Sequence, residues 1–161
     1  MSSTSTSKTM SLMMGKPADP KEICGMKHIV FGKDGMMTAM GANQPLRMMG
    51  PSGSMADAQV FDIKHNPDHD TYCLMSKQHK GHGVVYPHTI YPGVLLTMGD
   101  KPCHFKICHA HEGSGYIMKP VQGEEHCEGC NVSMAMNIVY PPMIAIQSSN
   151  LGVARWAIVN A

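Results

Sequence analysis

The feature that most constrains the fold of this chain is a repeat in which residues of the same type recur 44 positions apart. The matching pairs are Phe61 with Phe105, Ile63 with Ile107, His65 with His109, and Tyr72 with Tyr116. A third, partial copy covers residues 154–158 and is displaced from the second copy by 51 residues. Self-similarity of this kind indicates a structural unit that occurs several times along the chain.

Each copy predicts two β-strands joined by a polar turn. The aromatic and aliphatic residues stand two positions apart, which is the period of a strand with one buried face. The turns, residues 65–70 and 109–115, are rich in residues that favour tight loops. Short apolar segments recur at roughly ten-residue intervals between turn residues, giving three sets of four predicted strands. Two of these strands are placed over residues 94–98 and 134–140.

Length and charge narrow the class of protein. A chain of 161 residues suits one domain with a sizeable core. Thirteen basic and 12 acidic residues leave a net charge of +1, which argues against nucleic acid as a partner. The sequence contains no signal-peptide run and no apolar stretch of about 18 residues. We therefore expect a cytoplasmic protein with no membrane partner.

The chain divides into two predicted parts. Residues 1–23 are predicted to be a flexible leader lying on the domain, and residues 24–161 a single domain. All six cysteines are expected to be reduced thiols, because the sequence gives no sign of secretion.

The threefold repeat over residues 24–161 resembles the β-trefoil. That resemblance implies an all-β fold of twelve strands, in which six strands close a barrel and three hairpins cap one end. It also implies that Phe61, Phe105 and Trp156 are equivalent core residues of the three units.

Among trefoil families, the segment from Phe105 to Met118 and the closing residues 155–158 are most similar to the mycocypins, the small intracellular protease inhibitors of mushrooms. This resemblance implies a reversible inhibitor of papain-like cysteine or serine proteases. Such inhibitors act through rigidly held surface loops, because rigid presentation lowers the entropy cost of binding.

The same resemblance assigns protease contact to three loops. The residues are Gly32, Lys33, Asp34 and Gly35 in the first hairpin, Gly50, Pro51, Ser52 and Gly53 before the fourth strand, and Lys77 and Lys80 between the fifth and sixth strands. The third loop has no asparagine, which argues against inhibition of asparagine-specific proteases. Either lysine suits an acidic specificity pocket.

Carbohydrate binding is the first alternative. Ricin-type trefoil lectins carry Gln-x-Trp in each repeat, and residues 59–61 of this chain are a single weakened copy, Gln-Val-Phe. The equivalent positions in the other repeats are Cys103 and Ala154. A multivalent lectin of the ricin type is not indicated, but a different site for glycans stays open.

A zinc-binding β protein is the second alternative. Cys127 and Cys130 have the spacing of a zinc knuckle, and His126 precedes them. Cys103 and Cys108 do not supply the second pair, because their opposite parity on one strand points them to opposite faces. We expect no cofactor and no metal.

Catalysis is the least supported class. The polar turn with His65, Asp68, His69 and Asp70 is explained by solvation, and no nucleophile or phosphate-binding motif is found. We expect a binding protein rather than an enzyme.

Overall fold

The computed structural model describes residues 14–33, 35–111, 113–121, 129–137 and 139–161. These residues form fourteen β-strands, one short α-helix, α1 (Pro20–Ile23), and 3-10 helices at Gly53–Met55, Asp57–Gln59 and Ser149–Leu151. The strands are β1 (Met14–Pro17), β2 (Gly25–Phe31), β3 (Gly35–Thr38), β4 (Arg47–Met49), β5 (Phe61–Asn66), β6 (Thr71–Ser76), β7 (Gly83–Val85), β8 (Val94–Leu95), β9 (Thr97–Gly99), β10 (Phe105–Ala110), β11 (Tyr116–Pro120), β12 (Cys130–Met134), β13 (Ile144–Ser148) and β14 (Ala157–Asn160). Within the described residues, no helix has the length and apolar character needed to cross a membrane.

Six of the strands close a barrel. The antiparallel neighbours run in the order β14, β2, β5, β6, β10 and β11. The barrel closes where Tyr116 and Trp156 exchange two backbone hydrogen bonds, of 2.7 and 2.8 Å. Closure leaves no open sheet edge in the barrel itself, which removes a route to edge-to-edge aggregation.

Three hairpins cap one end of the barrel, one from each repeat. They are β3 with β4, β7 with β9, and β12 with β13. At their centre the backbone N–H of Leu46 donates to Leu96, Leu96 to Ile144, and Ile144 back to Leu46, at 3.0, 3.0 and 3.2 Å. A closed barrel with a threefold cap of hairpins is the β-trefoil, so the predicted fold is confirmed.

Large apolar side chains from each repeat fill the barrel. Phe61, Phe105 and Trp156 are all 0% exposed, as predicted for equivalent core positions. The indole N–H of Trp156 donates to the carbonyl oxygen of Val132 at 2.9 Å, so the one polar atom of this ring is paired inside the core.

The remaining pairs of the repeat also occupy equivalent places. The ring centroids of His65 and Tyr72 are 4.8 Å apart, and those of His109 and Tyr116 are 4.9 Å apart. Each pair lies directly across two neighbouring strands, so the sequence repeat corresponds to a repeated cross-strand contact.

The N-terminal segment belongs to the folded body from Met14 onward. β1 pairs with β10, and α1 begins at an Asp19 cap with Pro20 at its first position. Ala18 and Ile23 are 4% and 0% exposed. Residues 14–23 of the predicted leader therefore pack against the barrel, whereas its residues 1–13 lie outside the described residues, and the division of the chain at residue 24 stays a prediction.

Two predicted strands also differ from the structure. The segment 134–140 is mostly a loop, since β12 ends at Met134. The predicted strand over residues 94–98 is divided into β8 and β9 at Leu96, because the backbone of Leu96 forms the central ring of hydrogen bonds.

Candidate binding surface

A groove lined mainly by apolar side chains opens where the hairpins of the first and third repeats meet. Its volume is about 400 Å³. The lining residues, referred to below as the apolar groove, are Phe31, Gly35, Met48, Met49, Gly50, Met134, Tyr140 and Pro142. A concave apolar surface of this size suits a side chain or small group from a partner molecule.

The two walls of the groove are joined by hydrogen bonds. Arg47 Nη1 donates to the carbonyl oxygen of Pro141 at 2.8 Å, and the backbone N–H of Met48 donates to the carbonyl oxygen of Pro142 at 2.8 Å. These contacts hold the loop of the third repeat against β4. The groove is therefore fixed by backbone atoms of both walls.

Gly35 keeps space between the walls. A Cβ atom at this position would lie 2.7 Å from Met48 Cε and 3.0 Å from the carbonyl oxygen of Phe31. The methionine side chain can move, but the carbonyl oxygen is fixed in the β2–β3 hairpin. Glycine is therefore the residue that this part of the groove accommodates without rearrangement.

The loop between β12 and β13 exposes large apolar side chains. Tyr140 is 93% exposed, Met136 72% and Val139 40%. Contiguous exposed apolar residues mark interaction sites on soluble proteins, and tyrosine is among the residues that contribute most to protein interfaces.

The segment between β4 and β5 is held by one buried side chain. Gln59 is 2% exposed, and its Nε2 donates to the carbonyl oxygen of Gly50 at 2.8 Å. Its Oε1 accepts from the backbone N–H of Ser52 at 3.2 Å. The side chain in the weakened Gln-x-Trp copy thus serves as an internal support for the predicted second loop.

The β6–β7 loop lies on the other side of this segment. Lys77 forms an ion pair with Asp57 at 3.2 Å, and both side chains are largely exposed. Gln78 and residues 53–58 line a second cavity of about 320 Å³. All three predicted loops are therefore neighbours, with residues 50–58 in the middle.

The predicted protease-binding residues divide by position. Gly35 and Gly50 line the apolar groove, while Gly32 and Lys33 are exposed in the turn between β2 and β3. Pro51, Ser52 and Gly53 lie on the segment that follows Gly50, and Lys77 and Lys80 lie on the β6–β7 loop. Asp34 lies outside the described residues. Their role in binding a protease stays a prediction.

Tyr140 and Pro142 were missed because the sequence pattern placed a strand over residues 134–140. The signal that identifies them is the run Tyr140-Pro141-Pro142. Two prolines in succession cannot donate the hydrogen bonds of a central strand, so an aromatic residue beside them belongs to an exposed turn.

The predicted zinc cluster is only partly described. His126 and Cys127 lie outside the described residues, whereas Cys130 is 3% exposed and disulfide-bonded. The expectation of six reduced thiols is therefore wrong for Cys130. Within the described part of the chain, no three His, Cys, Asp or Glu residues are grouped so that they could hold a metal ion.

Four other cysteines are free thiols: Cys24, Cys73, Cys103 and Cys108. Burial raises the pKa of each thiol above its ordinary value, because the charged thiolate is poorly solvated. These thiols are accordingly held in the protonated, less nucleophilic form.

The polar turn of the first repeat is a solvent-facing structure. His65 Nε2 lies 2.8 Å from Asp70 Oδ1, and the Asp70 side chain is 56% exposed. The Asn66 side chain accepts from the backbone N–H of Asp68 at 3.2 Å. These contacts stabilise a turn in the way that Asx residues commonly do.

No protein-family model matches the sequence, and no curated protein matches it. Solved structures match at the level of the fold. The Rhizoctonia solani agglutinin aligns over 86% of this chain and 96% of its own length, with 12% identity and a TM-score of 0.69. ThreeFoil, a designed threefold-symmetric protein, aligns over 85% of this chain and 99% of its own length, with 13% identity and a TM-score of 0.67.

A mosquitocidal holotoxin also matches, over 85% of this chain but 16% of its own length, with 14% identity and a TM-score of 0.67. At such identities the matches establish the shared fold alone. They agree with the β-trefoil architecture described above.

Proposed function

We propose that this β-trefoil binding protein is a reversible inhibitor of papain-like cysteine or serine proteases, and that it binds them through the apolar groove and its flanking loops. One observation carries the proposal. Gly35 and Gly50, which belong to two separately predicted protease-binding loops, line the same groove beside the 93% exposed Tyr140.

The chemistry of the groove favours a polypeptide partner. Its lining offers methionine, aromatic, proline and glycine residues, and the Tyr140 hydroxyl is the only polar side-chain group among them. Glycans require several directed hydrogen bonds, whereas an apolar side chain of a protein requires mainly burial of area.

The hydrogen bonds that fix the loops favour an inhibitor that binds its protease through preformed loops. The Gln59 contacts to Gly50 and Ser52, and the Arg47 contact to Pro141, fix the loops before a partner arrives. Less conformational entropy is then lost on binding.

Titration of papain, a cathepsin and trypsin with the purified protein tests the proposal. We expect stoichiometric, reversible inhibition of at least one of them at micromolar concentration or below. Absence of inhibition of all three at micromolar concentration would contradict it.

Carbohydrate binding is the second candidate. It is supported by the likeness to an agglutinin over 96% of that protein's length, and by exposed Tyr91 and Tyr140, whose rings can stack on sugar faces. A glycan array separates the two candidates. Saturable glycan binding by a protein that inhibits none of the three proteases would assign the surface to sugars.

A further inference from the structure

A separate cavity opens on the wall of the barrel, between the N-terminal strand β1, the β10–β11 hairpin and the turn between β5 and β6. Its volume is about 270 Å³, and it shares no lining residue with the apolar groove. Its lining includes two lysines, Lys106 and Lys119, together with His69. This space is referred to below as the lysine cavity. A concave site lined by basic side chains favours an anionic group.

The two lysines of the cavity lie opposite each other on neighbouring strands. Lys106 of β10 is the direct antiparallel partner of Lys119 of β11. The Cβ atoms of such a pair are about 4.5–5.5 Å apart, and like charges placed there destabilise the sheet. An anion bound between the two ammonium groups would remove this repulsion.

The thiol of Cys108 shows that the charges of both lysines act inside the cavity. Burial has the largest influence and raises the pKa of this thiol, whereas Lys119 and Lys106 both lower it, because a positive charge nearby favours the thiolate. Cys108 itself lines the cavity. A bound anion in the same space would therefore be attracted by both ammonium groups.

The acidic residue in the lining, Asp70, has another partner. Its Oδ1 lies 2.8 Å from Nε2 of His65, a residue that does not line the cavity. On the neighbouring strand β5, Lys64 forms an ion pair with Asp62 at 3.7 Å. Lys106, in contrast, forms no ion pair with any of the described residues. Its charge is therefore available to a ligand.

The lysine cavity is large enough for a phosphate group. Liquid water occupies about 30 Å³ per molecule, so the space equals that of about nine waters, and a phosphate group fits with room beside it. Met14 and Pro17 of β1 supply an apolar part of the lining. A small organic group attached to the phosphate would lie against them.

We propose that the lysine cavity binds a phosphate dianion, either free or as the head group of a small phosphomonoester, with Lys106 and Lys119 as its charge partners. The two negative charges of the dianion match the two ammonium groups, and lysine binds phosphate as a point charge. The site does not depend on protease inhibition.

Titration of the ¹⁵N-labelled full chain, followed by nuclear magnetic resonance at low ionic strength in a buffer without phosphate, tests the site. The probes are inorganic phosphate and glycerol 3-phosphate. We expect saturable binding of one phosphate group per chain, with the first shifts at the backbone amides of residues 69, 106–108 and 119. Tighter binding of glycerol 3-phosphate would identify the ligand as an ester, and tighter binding of inorganic phosphate as the free ion.

A charge-matched pair of variants distinguishes the cavity from a general effect of net charge. Lys106→Gln should bind phosphate at least about fivefold more weakly, because one of the two charge partners is lost. Lys101→Gln removes the same charge from an exposed residue outside the cavity, and should change the affinity by less than about twofold. Equal affinity in the two variants, or shifts spread over exposed lysines outside the cavity, would overturn the proposal.

Discussion

The barrel core and the groove end of this molecule relate differently to the threefold repeat. In the core the three copies are interchangeable in role: Phe61, Phe105 and Trp156 are equally buried. At the groove end the copies differ, since Tyr140 in the third repeat is 93% exposed and Tyr91, in the corresponding hairpin loop of the second, is 58% exposed. The repeated residues build the scaffold, and recognition is to be sought where the copies diverge.

The largest expected effect is on the free energy of unfolding, and it tests whether the three core positions are equivalent. Trp156→Ala should lower the free energy of unfolding by about 3–5 kcal/mol, because it leaves a cavity at the barrel centre. Urea unfolding followed by circular dichroism measures this. Phe61→Ala and Phe105→Ala should fall in the same range, and a loss below about 1 kcal/mol at any of the three would show that the positions are not equivalent.

A smaller effect is expected where the scaffold supports the loops. Gln59→Ala removes the hydrogen bonds to Gly50 and Ser52, and we expect a loss of about 1–3 kcal/mol in the free energy of unfolding. Protease inhibition should weaken as well. For stability, Gln78→Ala on the exposed β6–β7 loop is the matched control, and a similar loss in the free energy of unfolding there would remove the special role of Gln59.

The contact between the N-terminal segment and the barrel gives a pH-dependent prediction. Burial, with a smaller contribution from Asp70, raises the pKa of Tyr72 from 10.0 to about 12. The unfolded chain therefore releases this proton first, and the stability that Tyr72 contributes below pH 10 is lost as the pH rises from 10 to 12.

Tyr72→Phe should make that alkaline loss of stability shallower, while costing about 1 kcal/mol near neutral pH through the hydrogen bond to Ala18. Some slope should persist, because burial and the hydrogen bond to Glu22 also raise the pKa of Tyr116. Thermal unfolding at pH 8, 10 and 12 measures both effects. An unchanged slope in the variant would contradict the assignment to Tyr72.

The smallest effect on stability is expected at the groove end. Tyr140→Ala and Tyr91→Ala should each change the free energy of unfolding by less than about 0.5 kcal/mol, because both side chains face solvent. Urea unfolding checks this. A loss above about 1 kcal/mol at Tyr140 would mean that the residue belongs to the scaffold.

The fold could be predicted because the residues that fill the barrel core follow a short-range pattern in the sequence. Equivalent core positions need large apolar residues, and alternation around Phe61 and Phe105 shows which face is buried. The central ring of Leu46, Leu96 and Ile144 was not foreseen, since these residues are spaced by 50 and 48 positions and do not follow the 44-residue repeat. β1 was also missed, because its partner β10 is remote in sequence.

The candidate site was foreseen only in part. Glycine-rich turns at Gly35 and Gly50 are visible in the sequence, but their meeting in one groove depends on the packing of two hairpins. The exposure of Tyr140 was not predicted, because the apolar residues before it have the pattern of a strand. The two prolines that follow it argue against that strand. The packing of these two hairpins against each other is not marked by the 44-residue repeat.

The most direct test of the central claim compares inhibition by two tyrosine variants. For whichever protease the wild type inhibits, Tyr140→Ala should raise the inhibition constant at least tenfold, whereas Tyr91→Ala should leave it within a factor of two or so, with both variants as stable as the wild type. Equal inhibition by the two variants would contradict the claim that recognition lies in the apolar groove of the first and third repeats.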